Sequence, residues 1–233
     1  MMPVHVAAPD GVNLAVYEWG QPKGRDVLFV HGFCSSAMVW MKQRRGDVAS
    51  VDGLAMERPI VVAWGYGGIV LGHYLNAHGA ARLGGVVLAG AITRVSPELS
   101  GPARRHVPHM LSENVAENVA ATRAYLRASF AAPPVQEDFE LLLGCAMMVP
   151  LAPRRSMIAP DIDMDEALAA LEIPALVVHG AADAVVMPDM GRQTAKRIRR
   201  AELSLYEGSG HAAFYESPDR FNRTLIQFAK DLA

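Results

Sequence analysis

Apolar runs that alternate with helical patterns are the feature of this sequence that most constrains its fold. Such runs occupy positions 27–30, 59–64, 85–89 and 175–179. Each run is short and nearly free of polar residues, as expected of a strand that is covered on both faces. Helical patterns lie between several of them, and this β-then-α order predicts a doubly wound, mostly parallel sheet of the α/β class.

The two ends of the chain fit the same plan. At the start, "VHVAAPDGVNLAVYEWG" predicts two antiparallel strands around a turn at Asp10 and Gly11. Near the end, "PDMGRQTAKRIRR" is typical of an amphipathic helix, "AELSLYEG" of a strand and "SPDRFNRTLIQFAKDL" of a terminal helix. Ser217 and Pro218 suit the N-cap and the first position of that last helix.

The pattern changes between residues 93 and 173, where no strand is evident. Helical stretches such as "SENVAENVAATRAYLRASF" and "QEDFELLLGCAMM" are separated by segments that contain proline. We interpret this region as a helical cap over the carboxyl edge of the sheet, where open α/β sheets bind ligands. The predicted division is a core of residues 1–92 and 161–233 with a cap insertion of residues 93–160.

The composition indicates a protein that acts on a small molecule. Of the 233 residues, 51% are hydrophobic, and the formal net charge is -2, with acids and bases spread throughout. This balance gives no reason to expect nucleic acid, an anionic membrane or a highly charged substrate as a partner. Cys34 and Cys145 stand far apart and the start lacks a secretory pattern, so we expect a cytoplasmic location. The longest apolar window, residues 60–72, is too short to span a membrane, and a homo-oligomer is left open.

Four motifs occur in order along the chain: "LFVHGF", "VVAWGYGG", "ALVVHGAADAVVMP" and "EGSGHAAFYESPDRFN". The second has the strand–turn–helix context of a nucleophile elbow, and the others place polar groups in loops that follow predicted strands. Together they resemble the α/β-hydrolase superfamily, especially its small esterases and cofactor-free haloperoxidase-like members. The resemblance covers nearly the whole chain. It implies an α/β-hydrolase fold, no cofactor, and hydrolysis of a small apolar ester or related carbonyl compound.

The resemblance also implies roles for individual residues. His211 matches the family's base and Asp183 its acid, while the backbone N–H groups of Phe33 and Tyr66 match the two donors of the oxyanion hole. A hydroxyl becomes a nucleophile when an imidazole removes its proton, and the carboxylate holds that imidazole in one tautomer. Gly65 stands at the nucleophile position, where the family has serine, and offers no side chain that could form an acyl-enzyme.

The glycine at the elbow leaves three functional interpretations open. A strained turn tolerates glycine well, so we expect the fold to survive while ester hydrolysis is weak or lost. The alternatives are a ligand-binding protein that does not cleave its ligand, and a lyase or cofactor-free oxygenase in which His211 acts alone as a general base. The sequence is equally compatible with a natural loss of serine and with an introduced Gly65.

A second departure from the family is a shortage of chain before the elbow. Family members place a helix, another central parallel strand and a second helix between the "HGF" loop and the elbow strand. Here only residues 41–58 separate the two. One central strand is therefore expected to be missing, and its absence would leave buried backbone groups without partners, at about 1–3 kcal/mol each. Three alternatives stay open for this shortage: a deleted segment, a rearranged sheet edge, or a strand supplied by a partner.

Several neighbouring residues complete the predicted site or compete with it. We expect Trp64, His31 and Cys34 to flank the substrate pocket, with the ring of His31 bonded to backbone. Cys34 is interpreted as a small buried cysteine rather than a replacement nucleophile. Asp189 is a rival for the acid but suits the start of a helix better. The other histidines show no ligand-like grouping with carboxylates, so no metal site is expected.

Overall fold

A parallel sheet of five strands forms the centre of the computed structural model, which describes residues 3–7, 11–20, 24–44, 56–158 and 162–232. The described strands in chain order are β1 (Val4–Ala7), β2 (Asn13–Val16), β3 (Val27–Val30), β4 (Ile60–Trp64), β5 (Gly85–Ala89), β6 (Ala175–Gly180) and β7 (Ala201–Tyr206). Strands β3 to β7 pair side by side in chain order, and β1 and β2 form a separate antiparallel pair. The predicted parallel sheet and initial hairpin are confirmed, although residues 8–10 of the hairpin turn lie outside the described residues.

Helices cover the sheet and its carboxyl edge. The described α-helices are α1 (Met41–Arg44), α2 (Gly67–His78), α3 (Val115–Ala128), α4 (Gln136–Met147), α5 (Leu151–Ser156), α6 (Asp165–Ala169), α7 (Pro188–Arg197), α8 (Ala213–Glu216) and α9 (Pro218–Asp231). Short 3-10 segments lie at Ala37–Trp40, Pro97–Leu99, Pro102–His106 and His109–Leu111. None of the helices in the described ranges combines the length and the apolar character that crossing a bilayer requires.

The predicted elements near the end of the chain are confirmed, with one difference at the start of α9. Helix α7, strand β7 and helix α9 occupy the expected segments, and Pro218 is the first residue of α9. Ser217 makes no side-chain cap hydrogen bond. Ser217 is the N-cap residue, as predicted, but its hydroxyl lies 3.3 Å from that of Ser209 instead of capping the helix.

Both faces of the sheet receive core residues from the central strands. In β4, Ile60, Val62 and Trp64 contribute to a cluster with helices α8 and α9, whereas Val61 and Ala63 contribute to a cluster with helices α2 and α6. Every residue of β4, β5 and β6 is buried. Because successive side chains point to opposite faces, a strand covered on both sides needs apolar residues at every position. This requirement explains the unbroken apolar runs of the sequence.

Strand β3 is less covered than the sequence predicts. It pairs in parallel with β4, beginning with Val27 opposite Ile60, and is the edge of the five-stranded sheet. Its residues after Val27 are only partly buried, so the prediction of cover on both faces is wrong for this strand. The strand that precedes the "HGF" loop and the strand that leads into the elbow are therefore hydrogen-bonded neighbours in the sheet. The absence of a further central strand stays a prediction, because residues 45–55 lie outside the described residues.

The segment between β5 and β6 packs against loops that follow the strands of the sheet. Cys34, which follows β3, shares an apolar cluster with Met110 and Ala146. Val185, which follows β6, shares another with Leu99. The helices α3, α4 and α5 of this segment therefore stand where a cap is expected, while its boundaries at residues 93 and 160 stay a prediction.

A buried arginine joins the helices of this segment. Only 1% of Arg154 is exposed, and its guanidinium donates hydrogen bonds to the carbonyl oxygens of Ala146 at 2.6 Å, Val149 at 2.9 Å and Met110 at 3.1 Å. It also donates to Oδ1 of Asn118 at 2.9 Å. A buried cation is expensive unless its donors are satisfied, and here they bind acceptors from several elements at once.

Replacing Arg154 with methionine should destabilise the protein, because five acceptors, Oγ1 of Thr122 at 3.5 Å among them, lose a charged donor while the apolar stem is kept. We expect the free energy of unfolding in urea to fall by about 2–4 kcal/mol. Arg155→Met is a matched control, since Arg155 is half exposed and pairs only with exposed groups, and it should cost less than about 0.5 kcal/mol. An equal loss in the two variants would contradict this account of Arg154.

Candidate active site

The elbow between β4 and α2 is a tight turn with glycine at its apex. Strand β4 ends at Trp64, and α2 begins at Gly67. Gly65 has a φ of 54°, in the left-handed region that residues with a side chain seldom adopt. Its carbonyl oxygen accepts hydrogen bonds from the N–H groups of Ile92 at 2.9 Å and Gly68 at 3.0 Å. These bonds fix the apex against the loop that follows β5.

Gly67 allows α2 to start unusually close to the sheet. A Cβ at this position would lie 2.6 Å from the carbonyl oxygen of Val30, nearer than non-bonded atoms approach each other in a packed interior. The absence of a side chain therefore lets the first turn of the helix lie against the end of β3. This close approach places the elbow beside the loop that carries the "HGF" motif.

His211 and Asp183 form a buried hydrogen-bonded pair. The Nδ1 atom of His211 lies 2.8 Å from Oδ2 of Asp183, and the two residues are only 5% and 4% exposed. The other carboxylate oxygen, Oδ1, accepts hydrogen bonds from the N–H groups of Val185 at 2.8 Å and Val186 at 2.9 Å. These backbone bonds fix the carboxylate just after β6, so that it can orient the imidazole.

His179 is a part of this site that the sequence analysis missed. Its Nε2 atom lies 3.1 Å from Oδ2 of Asp183 and 3.0 Å from the carbonyl oxygen of Val186. Its buried Nδ1 atom has no hydrogen-bond partner among the described residues, so the ring contacts the site through Nε2. The sequence feature that could have identified it is its place in "VVHGAADAVV": His179 lies at the end of the strand that the acid directly follows.

Burial alone raises the pKa of Asp183, but the surroundings reverse this effect. The charge of His211, the hydrogen bonds from His179 and His211, and the charge of His179 favour the ionised carboxylate, and together they outweigh the burial. The pKa of Asp183 therefore stands well below its ordinary value. The group is a carboxylate at neutral pH, as an orienting acid requires.

Further contacts hold the loop that carries His211. Trp64 donates a hydrogen bond from Nε1 to the carbonyl oxygen of His211 at 3.0 Å, and the centroids of the two rings lie 5.2 Å apart. Glu216 accepts hydrogen bonds from the N–H groups of Gly210 at 2.6 Å and Ala131 at 2.8 Å. The loop is thus tied to β4 on one side and to the segment after α3 on the other. Trp64 positions the histidine as well as lining the cavity described below.

The imidazole of His211, the carboxylate of Asp183 and the bend at Gly65 converge at one place. A Cβ added to Gly65 would lie 2.9 Å from Nε2 of His211. The ring nitrogen that does not contact Asp183 therefore lies beside the point where a nucleophilic side chain would begin. The structure brings the three predicted residues together, and their catalytic roles stay predictions.

The backbone N–H groups of Phe33 and Tyr66 are available to bind an anion. Neither donates a hydrogen bond to any residue within the described ranges. Both residues line the same cavity as His211. Fixed N–H donors aimed at a developing negative charge are each worth about 10²–10³ in rate, so two such groups beside the elbow suit an oxyanion hole.

A largely apolar cavity opens beside these groups. Trp64 and Cys34 line it, as the sequence predicts. The placement of His31 needs correction, because this residue is exposed and does not line the cavity. Its Nδ1 atom lies 3.1 Å from the carbonyl oxygen of Gly32, so only the predicted contact with backbone is present. Other lining residues are Ser35, Ser36, Val39, Ile92, Met110, Thr122, Tyr125, Leu126, Ser129, Phe130, Leu142, Cys145, Ala146 and Val185.

The competing residues of the sequence analysis do not fit catalytic roles. Burial raises the pKa of Cys34 to about 12, and a thiol that stays protonated at neutral pH is a poor nucleophile. Asp189 lies in the first turn of α7, is mostly exposed and pairs with Arg192 at 3.0 Å. Among the residues that the structure describes, no group of three or more His, Cys, Asp or Glu side chains could hold a metal ion.

Comparison with known proteins identifies the class of this protein. The model of a family described as "Alpha/beta hydrolase family" matches residues 44–224. The chain therefore belongs to the alpha/beta hydrolase family, in agreement with its parallel sheet, elbow and late acid and histidine loops.

Relatives with similar sequences and structures include esterases and haloperoxidases. Non-heme chloroperoxidase CPO-A1 of Kitasatospora aureofaciens is 28% identical over 268 residues, which cover 94% of this chain and 96% of that protein. A pimeloyl-(acyl-carrier protein) methyl ester esterase of Vibrio atlanticus is 22% identical over 247 residues, covering 89% and 95%. The crystal structure of a putative aryl esterase from Burkholderia cenocepacia matches with a TM-score of 0.93 and 27% identity, covering 99% of this chain and 98% of that one. Esterase RhEst1 from Rhodococcus sp. ECU1013 matches with a TM-score of 0.89 and 27% identity over the full length of both chains.

Replacing Asp183 with asparagine should reduce the acid sensitivity of the fold. Because the pKa of Asp183 is lower in the folded than in the unfolded protein, its carboxylate stabilises the fold above the unfolded pKa of about 4. This contribution is lost as the pH falls through the folded value. We expect Asp183→Asn to be less stable in urea at neutral pH, and to lose less stability than the native protein between about pH 5 and pH 2.

The control for this experiment is Asp189→Asn, which changes an exposed carboxylate on the following helix. It should keep the pH dependence of the native protein, since its ion pair with Arg192 is exposed and such pairs contribute little to stability. An unchanged acid slope in Asp183→Asn would show that this carboxylate does not stabilise the fold as described.

Proposed function

We propose that this chain carries an esterase-type site of the Ser-His-Asp kind in which glycine takes the place of serine. With Gly65 at that position, the chain cleaves esters weakly or not at all. The substrate is a small, largely apolar ester or related carbonyl compound. One observation carries the proposal: Nε2 of His211 lies 2.9 Å from where a Cβ of residue 65 would stand, while its Nδ1 lies 2.8 Å from Asp183. Once the ring shifts to admit a side chain, a hydroxyl on residue 65 would lie beside Nε2 and could lose its proton to it.

The remaining groups support the same chemistry. In such a site the hydroxyl oxygen bonds to the ester carbonyl carbon, and the carbonyl oxygen becomes an anion that the N–H groups of Phe33 and Tyr66 can bind. The imidazolium of His211 then gives its proton to the departing alkoxide. In the second half of the reaction the imidazole removes a proton from water, which attacks the acyl-enzyme, and then returns that proton to the oxygen of residue 65. The apolar cavity beside these groups suits the acyl or aryl part of the substrate. The likeness to a putative aryl esterase supports aryl esters as first probes.

With Gly65 in place, the covalent route is closed. What remains is a base, two anion-binding N–H groups and a cavity, and these alone account for only about 10³–10⁴-fold catalysis over water in serine hydrolases that have lost a triad member. A ligand-binding protein is the second candidate, because the cavity and the free N–H groups persist without the nucleophile. Phenyl acetate distinguishes the two: slow release of phenol favours residual catalysis, and a raised melting temperature with no phenol favours binding alone.

Gly65→Ser should restore the hydrolysis of short p-nitrophenyl esters. We expect kcat/KM to rise at least about 100-fold over the native chain, since loss of the serine in a serine hydrolase costs up to about 10⁶. The gain falls short of this limit because the new Cβ would lie 2.9 Å from Nε2 of His211, so that the ring must shift. Release of p-nitrophenolate measures the rate.

Gly65→Ala is the matched control, because it adds the same Cβ without a hydroxyl. In both variants the free energy of unfolding in urea should be about 1–2 kcal/mol lower than in the native protein, since a side chain at positive φ is strained. A folded Gly65→Ser variant no more active than Gly65→Ala would count decisively against the proposed function.

A further inference from the structure

A second cavity lies beside the one that His211 lines. Phe33, Tyr66, Ile92, Tyr125 and Val185 line both cavities. Phe33 and Tyr66 carry the N–H groups assigned to the oxyanion hole. The second cavity therefore adjoins the place where the carbonyl oxygen of an ester binds under the proposed function.

Arg104 lines this second cavity and has no anionic partner within the described ranges. It belongs to the 3-10 segment Pro102–His106, and its side chain makes neither an ion pair nor a hydrogen bond with another described residue. No aspartate or glutamate is among the described residues that line the cavity. A guanidinium carries five N–H donors in a planar fork, and a carboxylate is the group that this fork binds through two parallel hydrogen bonds.

Tyr125 places a neutral hydroxyl between the two cavities. It lies on α3, and its ring packs edge to face against Phe33 with the centroids 6.2 Å apart. Its hydroxyl makes no hydrogen bond to any residue that the structure describes. Burial raises the pKa of Tyr125, the neighbouring Cys34 raises it further, and the Arg104 guanidinium offsets part of this rise. The hydroxyl is thus a protonated donor in the electrostatic field of Arg104.

We propose that the second cavity binds a carboxylate carried by the substrate, with Arg104 as its charged partner and Tyr125 as an additional donor. The proposal rests on the proposed function, because the first cavity then holds the ester group itself. Apart from Tyr66, the other residues that line the second cavity are apolar, so the limb that joins the ester to the carboxylate is a hydrocarbon. The substrate class is narrowed to esters with one carboxylate at the end of an apolar limb. The apolar lining residues are Ile69, Val95, Val107, Met157 and Ile158.

Binding to the native chain tests this assignment directly, because Gly65 closes the covalent route and the ligand is consumed slowly or not at all during the measurement. The probes are the monomethyl esters of succinic, glutaric, adipic and suberic acids, each compared with its neutral dimethyl ester by titration calorimetry. For at least one chain length we expect the monoester to bind about tenfold more tightly than the diester, and the difference to shrink as salt is added.

Arg104→Met should remove this preference, lowering the affinity for the monoester about tenfold and leaving that for the diester nearly unchanged. Arg105→Met is the matched control, since the adjacent Arg105 is exposed and lines neither cavity. It should keep the preference. If Arg104→Met does not fold, Arg104→Lys retains the charge but not the planar fork and should weaken monoester binding several-fold. Tyr125→Phe should weaken it by a smaller factor.

Equal affinities for the two kinds of ester at every chain length would overturn the proposal, as would a preference that survives in folded Arg104→Met. This outcome is separable from failure of the proposed function. If Gly65→Ser cleaves neutral aryl esters while the native chain shows no preference for monoesters, the esterase-type site stands and the carboxylate site falls. If the preference is present but Gly65→Ser cleaves nothing, the second cavity stands as an anion site and the ester assignment falls.

Discussion

The buried hydrogen bond between Nδ1 of His211 and Oδ2 of Asp183 is the interaction on which the candidate site depends. A carboxylate inside a protein is costly unless its oxygens are satisfied, and here both are. Backbone N–H groups after β6 occupy one oxygen, and the rings of His211 and His179 share the other. Through the bond from Trp64 to the carbonyl oxygen of His211, this pair also reaches the elbow strand. The loops after three strands are thereby fixed relative to one another.

Glycine at the elbow and the close approach of His211 are consistent with each other. The φ of 54° at Gly65 imposes little strain on a residue without Cβ, and the ring nitrogen of His211 lies 2.9 Å from where a Cβ would stand. A serine here would add strain to the backbone and require the ring to shift. The glycine thus accommodates both the left-handed backbone at the apex and the approach of the His211 ring.

The sequence predicts most of the fold and the central part of the site, because both depend on local patterns. Unbroken apolar runs identify strands with two covered faces, and the motif order brings Gly65, Asp183 and His211 to one edge of the sheet. The exposure of β3 was not predictable, since an apolar run does not reveal whether another strand lies beside it. The contact of His179 with Asp183 depends on how the loop after β6 folds back, and the outward position of His31 depends on how β3 ends. The lack of a partner for Arg104 likewise follows only from packing in three dimensions.

The most direct test of this account is a crystal structure of Gly65→Ser after reaction with phenylmethylsulfonyl fluoride, in which the new hydroxyl displaces fluoride and forms a sulfonyl ester. The account predicts a covalent adduct at position 65 with one sulfonyl oxygen bonded to the N–H groups of Phe33 and Tyr66, and His211 still hydrogen-bonded to Asp183. Absence of an adduct in a well-ordered elbow, or a sulfonyl group directed away from those N–H groups, would contradict it.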